Sequence, residues 1–167
     1  MMERISGTPI RDLASTGQVR VRYVAYVRAA DRPGSLTAVA EVISGRGVSI
    51  EFFATGDRRG NTVLLTLVFA TSHRLQSLIE RTLLGLSGVE EVTMVSADSP
   101  QVRAAGVVHA LAGRRFVPPS DTAVTWSGDT SLDQPLLVEG TLIDVEAVMD
   151  AARRDGAVLT SWMLLPP

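Results

Sequence analysis

From Gln18 to Ala30 the side chains alternate with a period of two. Val19, Val21, Tyr23, Ala25, Val27 and Ala29 fall on one face, and Arg20, Arg22, Val24, Tyr26 and Arg28 on the other. That spacing belongs to a β-strand laid on a core. The second face is only half polar, because Val24 and Tyr26 interrupt the arginines, so it is open to another sheet or a subunit. The strand runs into Asp31-Arg32-Pro33-Gly34-Ser35-Leu36. Pro33 fixes its own φ and biases Arg32 away from helix, and Gly34 lets a ligand or partner approach the backbone. Gly34 or Ser35 can cap the helix that follows, whose first N–H groups have no partner within the helix. Such a turn is a candidate site for a small carboxylate. It also reads as a plain strand-to-helix corner.

The rest of the first half falls into order around this strand. Leu36, Val39, Ala40 and Ile43 recur at helical spacing, and Gly45 and Gly47 end that helix. Val48 to Ala54 reads as a strand, Gly56 to Asn61 as a polar connection and Thr62 to Ala70 as a second strand, the two forming a hairpin. Both faces of Thr62 to Ala70 are largely apolar, which predicts a place near the middle of a sheet. Ser72 can cap a helix whose stripe is Leu75, Leu78, Ile79, Leu83 and Leu86, with Arg74, Gln76, Glu80 and Arg81 mostly on the wet side. Val89 to Ala97 returns as a strand with Val92 and Met94 inward. Two strand-helix-strand units with right-handed crossovers predict a four-stranded sheet with both helices on one face.

Asp98-Ser99-Pro100 marks a junction. Beyond it, Gln101 to Ala112 is expected to be helical from its composition, and Pro118-Pro119 interrupts firmly. Thr122 to Ser127 and Leu136 to Glu139 read as strands, Ile143 to Arg154 as a helix capped near Thr141 or Asp144, and Ala157 to Leu165 as a final strand. Val145, Val148, Met149 and Ala152 form the apolar side of that helix. The expected order repeats the first half without its opening strand. That strand is then to be supplied by Val89 to Ala97, by the N-terminal arm or by a partner chain.

Composition narrows the function. The 167 residues, 46% hydrophobic and 20% charged, fit a folded chain of one or two domains. The net charge of −2 offers no footprint for a phosphate backbone, so nucleic acid is not an expected partner. The absence of cysteine removes disulfides, thiolate metal sites and cysteine nucleophiles. No apolar run approaches the roughly 20 residues of a membrane span, and the first residues lack a signal-peptide core, so a cytoplasmic protein is expected. His73 and His109 have no partner at ligand spacing, and Glu90 and Glu91 point to opposite faces of a strand. Catalytic residues, metals and cofactors are therefore not expected. An enzyme would need His109, Asp121 and Asp129 to converge. Trp126 and Trp162 are expected to fill the second core, with an interface as the alternative.

Residues 18 to 97 resemble an ACT domain, the ferredoxin-like module with which many metabolic enzymes sense amino acids. The resemblance rests on the strand Val19 to Ala30, the turn Asp31 to Leu36, the helix ending in Gly45-Arg46-Gly47, and Val48-Ser49-Ile50-Glu51 opening the next strand. Among ACT proteins it is similar to the small regulatory subunit of acetolactate synthase, whose length and second α+β domain it shares. The resemblance implies an α+β fold: a βαββαβ ACT domain over 18–97, a degenerate ACT-like domain over 98–167 and an arm over 1–17. It implies a homodimer or higher oligomer, an amino acid effector and a catalytic large subunit as partner. The implied ligand residues are Asp31, Arg32, Pro33, Gly34, Ser35, Leu36 and Ser49. Asp31 would face the ammonium, the N–H groups of Gly34, Ser35 and Leu36 the carboxylate, and Ser49 the side of the ligand. The family usually carries asparagine at the positions of Asp31 and Ser49, which leaves the ligand open. An ACT-like adaptor without a working pocket is the alternative.

Overall fold

The computed structural model describes residues 20–167. The strand predicted from the alternating run is β1 (Val21–Ala30), and the glycine-led turn opens α1 (Ser35–Ser44). There follow β2 (Ile50–Arg59), β3 (Thr62–Thr71), α2 (His73–Leu84) and β4 (Val89–Ser96). The sheet order is β2-β3-β1-β4. The doubly apolar β3 lies inside the sheet, and α1 and α2 share one face. There Val39, Val42 and Ile43 of α1 and Ile79 and Leu83 of α2 pack on Tyr23, Ala25, Val27 and Ala29 of β1. Ser72 caps α2, its hydroxyl accepting from the N–H of Leu75. The expected stripes were too wide, since Leu36 and Leu78 are exposed and Gln76 is buried, its amide donating to Glu80 Oε2 at 2.9 Å.

One connection differs from expectation. The polar stretch Gly56 to Asn61 is not a free connection: β2 continues through it to Arg59, with a register shift between Thr55 and Arg58, and the turn is only Gly60-Asn61. The extra residue of such a bulge lets polar side chains leave the sheet without ending the pairing.

The second half is corrected more deeply. Gln101 to Ala112 does not form a helix; its centre is β5 (Arg103–His109), a strand between β7 (Leu136–Thr141) and β8 (Leu159–Leu164). β6 (Val124–Ser127) completes a sheet of order β6-β7-β5-β8. This repeats the first sheet position for position, with β5 in the place of β1. The opening strand is thus present within the half, and what the half lacks is a helix between its first two strands. Residues 110–123, rich in proline, make that connection without one. The arm over 1–17 lies outside the described residues.

The last helix, α3 (Leu142–Arg154), is capped by Thr141, whose hydroxyl accepts from the Asp144 N–H. Val145, Val148, Met149 and Ala152 are fully buried, as their spacing predicts. Val145 and Met149 lie over Gly106 of β5. The cluster around α3 also contains Val24, Tyr26, Leu64 and Val68, so the half-apolar face of the first sheet is covered by the second half of the same chain. Burying each large side chain there contributes about 1.5–3 kcal/mol. Among the described residues no helix is long and apolar enough to cross a membrane.

Candidate functional site

The turn after β1 is held by its own chain on two sides. The N–H of Asp31 donates to Asn61 O at 2.7 Å, and that of Ala30 to Gly88 O at 2.7 Å. Arg32 reaches back over Gly88, its Nη2 donating to Ser87 O at 3.0 Å. Gly88, at φ 90°, leaves the room this side chain occupies; a Cβ there would stand 3.2 Å from Arg32 Nη2. Pro33 and Gly34 are exposed, and Gly34 takes the left-handed φ of 88° with no atom within 4 Å of where its Cβ would be. The backbone at Gly34 is therefore open to an incoming group.

The helix start behind it is less free than a bare turn suggests. Gly34 O accepts from the Ala38 N–H at 2.9 Å, which begins α1, and the Ser35 N–H turns back to Arg32 O at 3.3 Å. By helix geometry the N–H groups of Leu36 and Thr37 precede any donor's partner within α1. Asp31 is already paired, its Oδ2 2.9 Å from Arg58 Nη1. Both side chains are well solvated, so this pair is weak and exchangeable. The cavity beside the turn, lined by Ser35, Ala38, Ser87 and Gly88 among others, is about 10 Å³. That is room for one water at most.

Ser49 does not join the turn. It is exposed and immediately precedes Ile50, which pairs with Phe69; Phe69 in turn pairs with Tyr23 at the beginning of β1. Asp31 follows the other end of β1. Seven residues separate Tyr23 from Ala30, so at about 3.3 Å per residue Asp31 and Ser49 lie some 23 Å or more apart along the strands. Asp31, Arg32, Pro33, Gly34, Ser35 and Leu36 form one group, and Ser49 stands at the opposite end of the sheet.

Near Ser49 the structure places a group the sequence did not single out. Arg22 Nε donates to Glu51 Oε2 at 2.7 Å, and Arg22 Nη2 to Glu146 Oε1 of α3 at 2.8 Å. Next to Glu51 on β2, Phe52 stacks on Trp162 of β8 with ring centroids 4.8 Å apart. Trp162 thus bridges the halves, whereas Trp126 is exposed rather than core. The interrupted arginine series of β1 was the available signal, because Arg22 and Arg28 flank apolar residues on a covered face. Arg28 pairs with Asp57, and Arg20 donates to Ala70 O.

The residues an enzyme would need are otherwise engaged or exposed. His109 ends β5 in solvent, Asp121 lies in the loop before β6, and Asp129 accepts from both the N–H and hydroxyl of Ser131. Those bonds hold the Asp129 carboxyl below its ordinary pKa.

No family model and no curated protein matches this sequence. Solved structures do resemble it. The acetolactate synthase small subunit from Thermotoga maritima superposes with a TM-score of 0.62 at 16% identity, over 86% of this chain and 94% of that one. The regulatory subunit of aspartate kinase from Thermus thermophilus gives a TM-score of 0.44 at 15% identity, over 80% of this chain and 91% of that one. The likeness to the first establishes the fold as the ACT-like α+β arrangement of two four-stranded antiparallel sheets with three helices.

Proposed function

We propose that the protein is a non-catalytic regulator that binds a small amino acid between two copies of itself and conveys occupancy to a partner enzyme. The observation carrying this reading is the separation of the turn from Ser49. Among the described residues β2 is an edge strand, paired in the sheet with β3 alone. Two copies related by a two-fold axis and paired along β2 run antiparallel, so the Asp31 end of one faces the Ser49 end of the other. Each interface then carries two sites, with Asp31 and the Leu36 N–H from one copy and Ser49 from its partner.

Occupancy at Ser49 has a path inward. Glu51 lies two residues along β2 and meets Arg22, which holds Glu146 of α3. A ligand that favours one dimer geometry thereby biases the second half, the surface we assign to the partner enzyme. The fold shared over nearly the full chain with an acetolactate synthase small subunit supports an acetolactate synthase-type catalytic subunit as that partner.

A thermal-shift panel of the twenty amino acids tests the reading. A ligand at a hundred times its Kd adds about 2.7 kcal/mol of stability. Asp31→Ala and Ser49→Trp copies should each be silent, and their mixture should recover about a quarter of the sites, because only mixed dimers rebuild one. A monomer at micromolar concentration by light scattering would contradict the reading.

The Asp31–Arg58 pair favours a second reading, an ACT-like adaptor whose site is closed by its own side chains. A silent panel from a chain that remains dimeric would select it.

A further inference from the structure

One face of the second sheet is left uncovered among the described residues. Val145 and Met149 of α3 lie over Gly106, and Ala104 and Val108 on that side of β5 are fully buried. By alternation Ala105 and Val107 point the other way. The ladder sets Glu139 and Leu137 of β7, and Met163 and Ser161 of β8, beside them. Antiparallel sheets with one wet face usually turn polar residues toward it. Here the outward set includes Leu137 at 54% exposure, Leu159 at 52% and Met163 at 59%. Two hollows of about 400 and 240 Å³, both bordered by the small Ala105, flank β5 on this face. Exposed apolar patches of a few hundred Å² mark interaction sites.

The strand register makes this face complementary to itself. One cross-strand row reads Thr125, Glu139, Ala105 and Met163, and the next reads Ser127, Leu137, Val107 and Ser161. A two-fold axis in the contact plane, running across the strands between these rows, lays each row over the other row of a second copy. Met163 then meets Ser161, Val107 meets Ala105, and Leu137 meets the stem of Glu139. Large residues thus stand over small ones at the roughly 10 Å spacing of packed sheets. The ionised pair on the face, Arg103 and Glu139, bridges at 3.1 Å within one copy. The face therefore neither repels an identical face nor rewards a charged partner.

We propose that this face packs, sheet against sheet, on the same face of a second copy of the chain. Four strands about 4.8 Å apart and about six residues long present roughly 400 Å² per copy. The pair buries about 800 Å², below the roughly 1,200–2,000 Å² of stable complexes, so the contact is weak and reversible. It uses neither β2 nor the turn. Copies already paired along β2 are therefore joined by it into fours.

Sedimentation velocity of the full chain from about 10 to about 500 µM, the range suited to a weak contact, tests this. The parent should pass from two copies toward four. Leu137→Glu and Met163→Glu should each move that step to at least tenfold higher concentration, because both place charge in the contact. Both positions are more than half exposed, so both variants should melt with the parent, which separates lost association from lost folding. Leu78→Glu, which removes an exposed leucine of α2 instead, should leave the step in place. The pairing along β2 is judged separately: a variant-sensitive step from one copy to two keeps the sheet contact and ends the β2 pairing. The proposal is overturned if no association step responds to both Leu137→Glu and Met163→Glu, or if Leu78→Glu shifts it equally. It is also overturned if the step appears only after residues 1–17 are removed, which would give the face to the arm.

Discussion

Arg22 of β1 and Glu146 of α3 are joined at two points: Arg22 Nη2 donates to Glu146 Oε1 at 2.8 Å, and Nη1 to Oε2 of the same carboxylate. The remaining Nε holds Glu51 of β2 at 2.7 Å. The hydrogen bonds to Glu146 lead the other influences in raising the Arg22 pKa far above its ordinary value, against the opposing effect of burial. One guanidinium thus fastens two strands of the first sheet to the helix of the second half.

Glu146 and Arg22 are each less than a third exposed, which places their pair between a surface and a buried ion pair. Glu146→Gln and Arg22→Met should each destabilise by about 1–2 kcal/mol, with a coupling of about 1 kcal/mol in a double-mutant cycle. Urea unfolding of the four proteins measures it, and strictly additive effects would sink the claim.

The Asp57 carboxyl is held below its ordinary value, first by the hydrogen bond from Arg28, with desolvation opposing and Arg59 adding to the effect. A carboxyl whose folded pKa is depressed stabilises the fold above its unfolded pKa, and this is lost as pH falls through the folded value. Asp57→Asn should therefore be less stable than the parent at pH 7, with the gap closing below about pH 4. A gap of constant size in urea midpoints from pH 7 to pH 3 would contradict this origin.

Tyr26 has the opposite sign. Burial pushes its pKa up, so with rising pH the unfolded chain loses the phenolic proton first and stability falls above about pH 10. Tyr26→Phe should be as stable as the parent or slightly more so at neutral pH, because it removes a buried hydroxyl that has no hydrogen-bond partner among the described residues. It should also hold its melting temperature better at pH 10–11. Equal alkaline losses in the two proteins would count against burial as the cause.

Gly106 is the close-approach point between β5 and α3. A Cβ there would fall 2.5 Å from Met149 Cε, 3.1 Å from Ser161 O and 3.3 Å from Val145 Cγ1. The methionine tip can swing away, but the backbone oxygen cannot. Gly106→Ala should cost about 1–3 kcal/mol, read as a lowered melting temperature. An unchanged melting temperature would show that the helix sits more loosely on the sheet than these distances imply.

Where side-chain period and neighbouring caps agreed, the fold was legible. The alternation of β1, the Ser72 cap of α2 and the stripe Val145, Val148, Met149 and Ala152 of α3 each specified an element and its buried face. Arg103 to His109 is a strand although Ala104 and Ala105 suit a helix; Gly106, Val107 and Val108 are poor helix formers and oppose the helix that composition suggests. Ala104, Gly106 and Val108 share a face at period two, but seven residues are too few for periodicity to separate strand from helix.

The turn Asp31 to Leu36 was visible in the sequence because proline and glycine constrain the backbone wherever they occur. Its chemistry was not. That Arg58 reaches Asp31, that Ser49 lies at the far end of the sheet, and that Arg28 turns from Glu91 to Asp57 all depend on strand register and sheet order. The sequence alone determined local geometry and which faces are apolar, since both follow from neighbours a few residues apart. Only the tertiary structure decided which charges meet, because ion pairs join strands dozens of residues apart whose alignment is set by burial of their apolar partners.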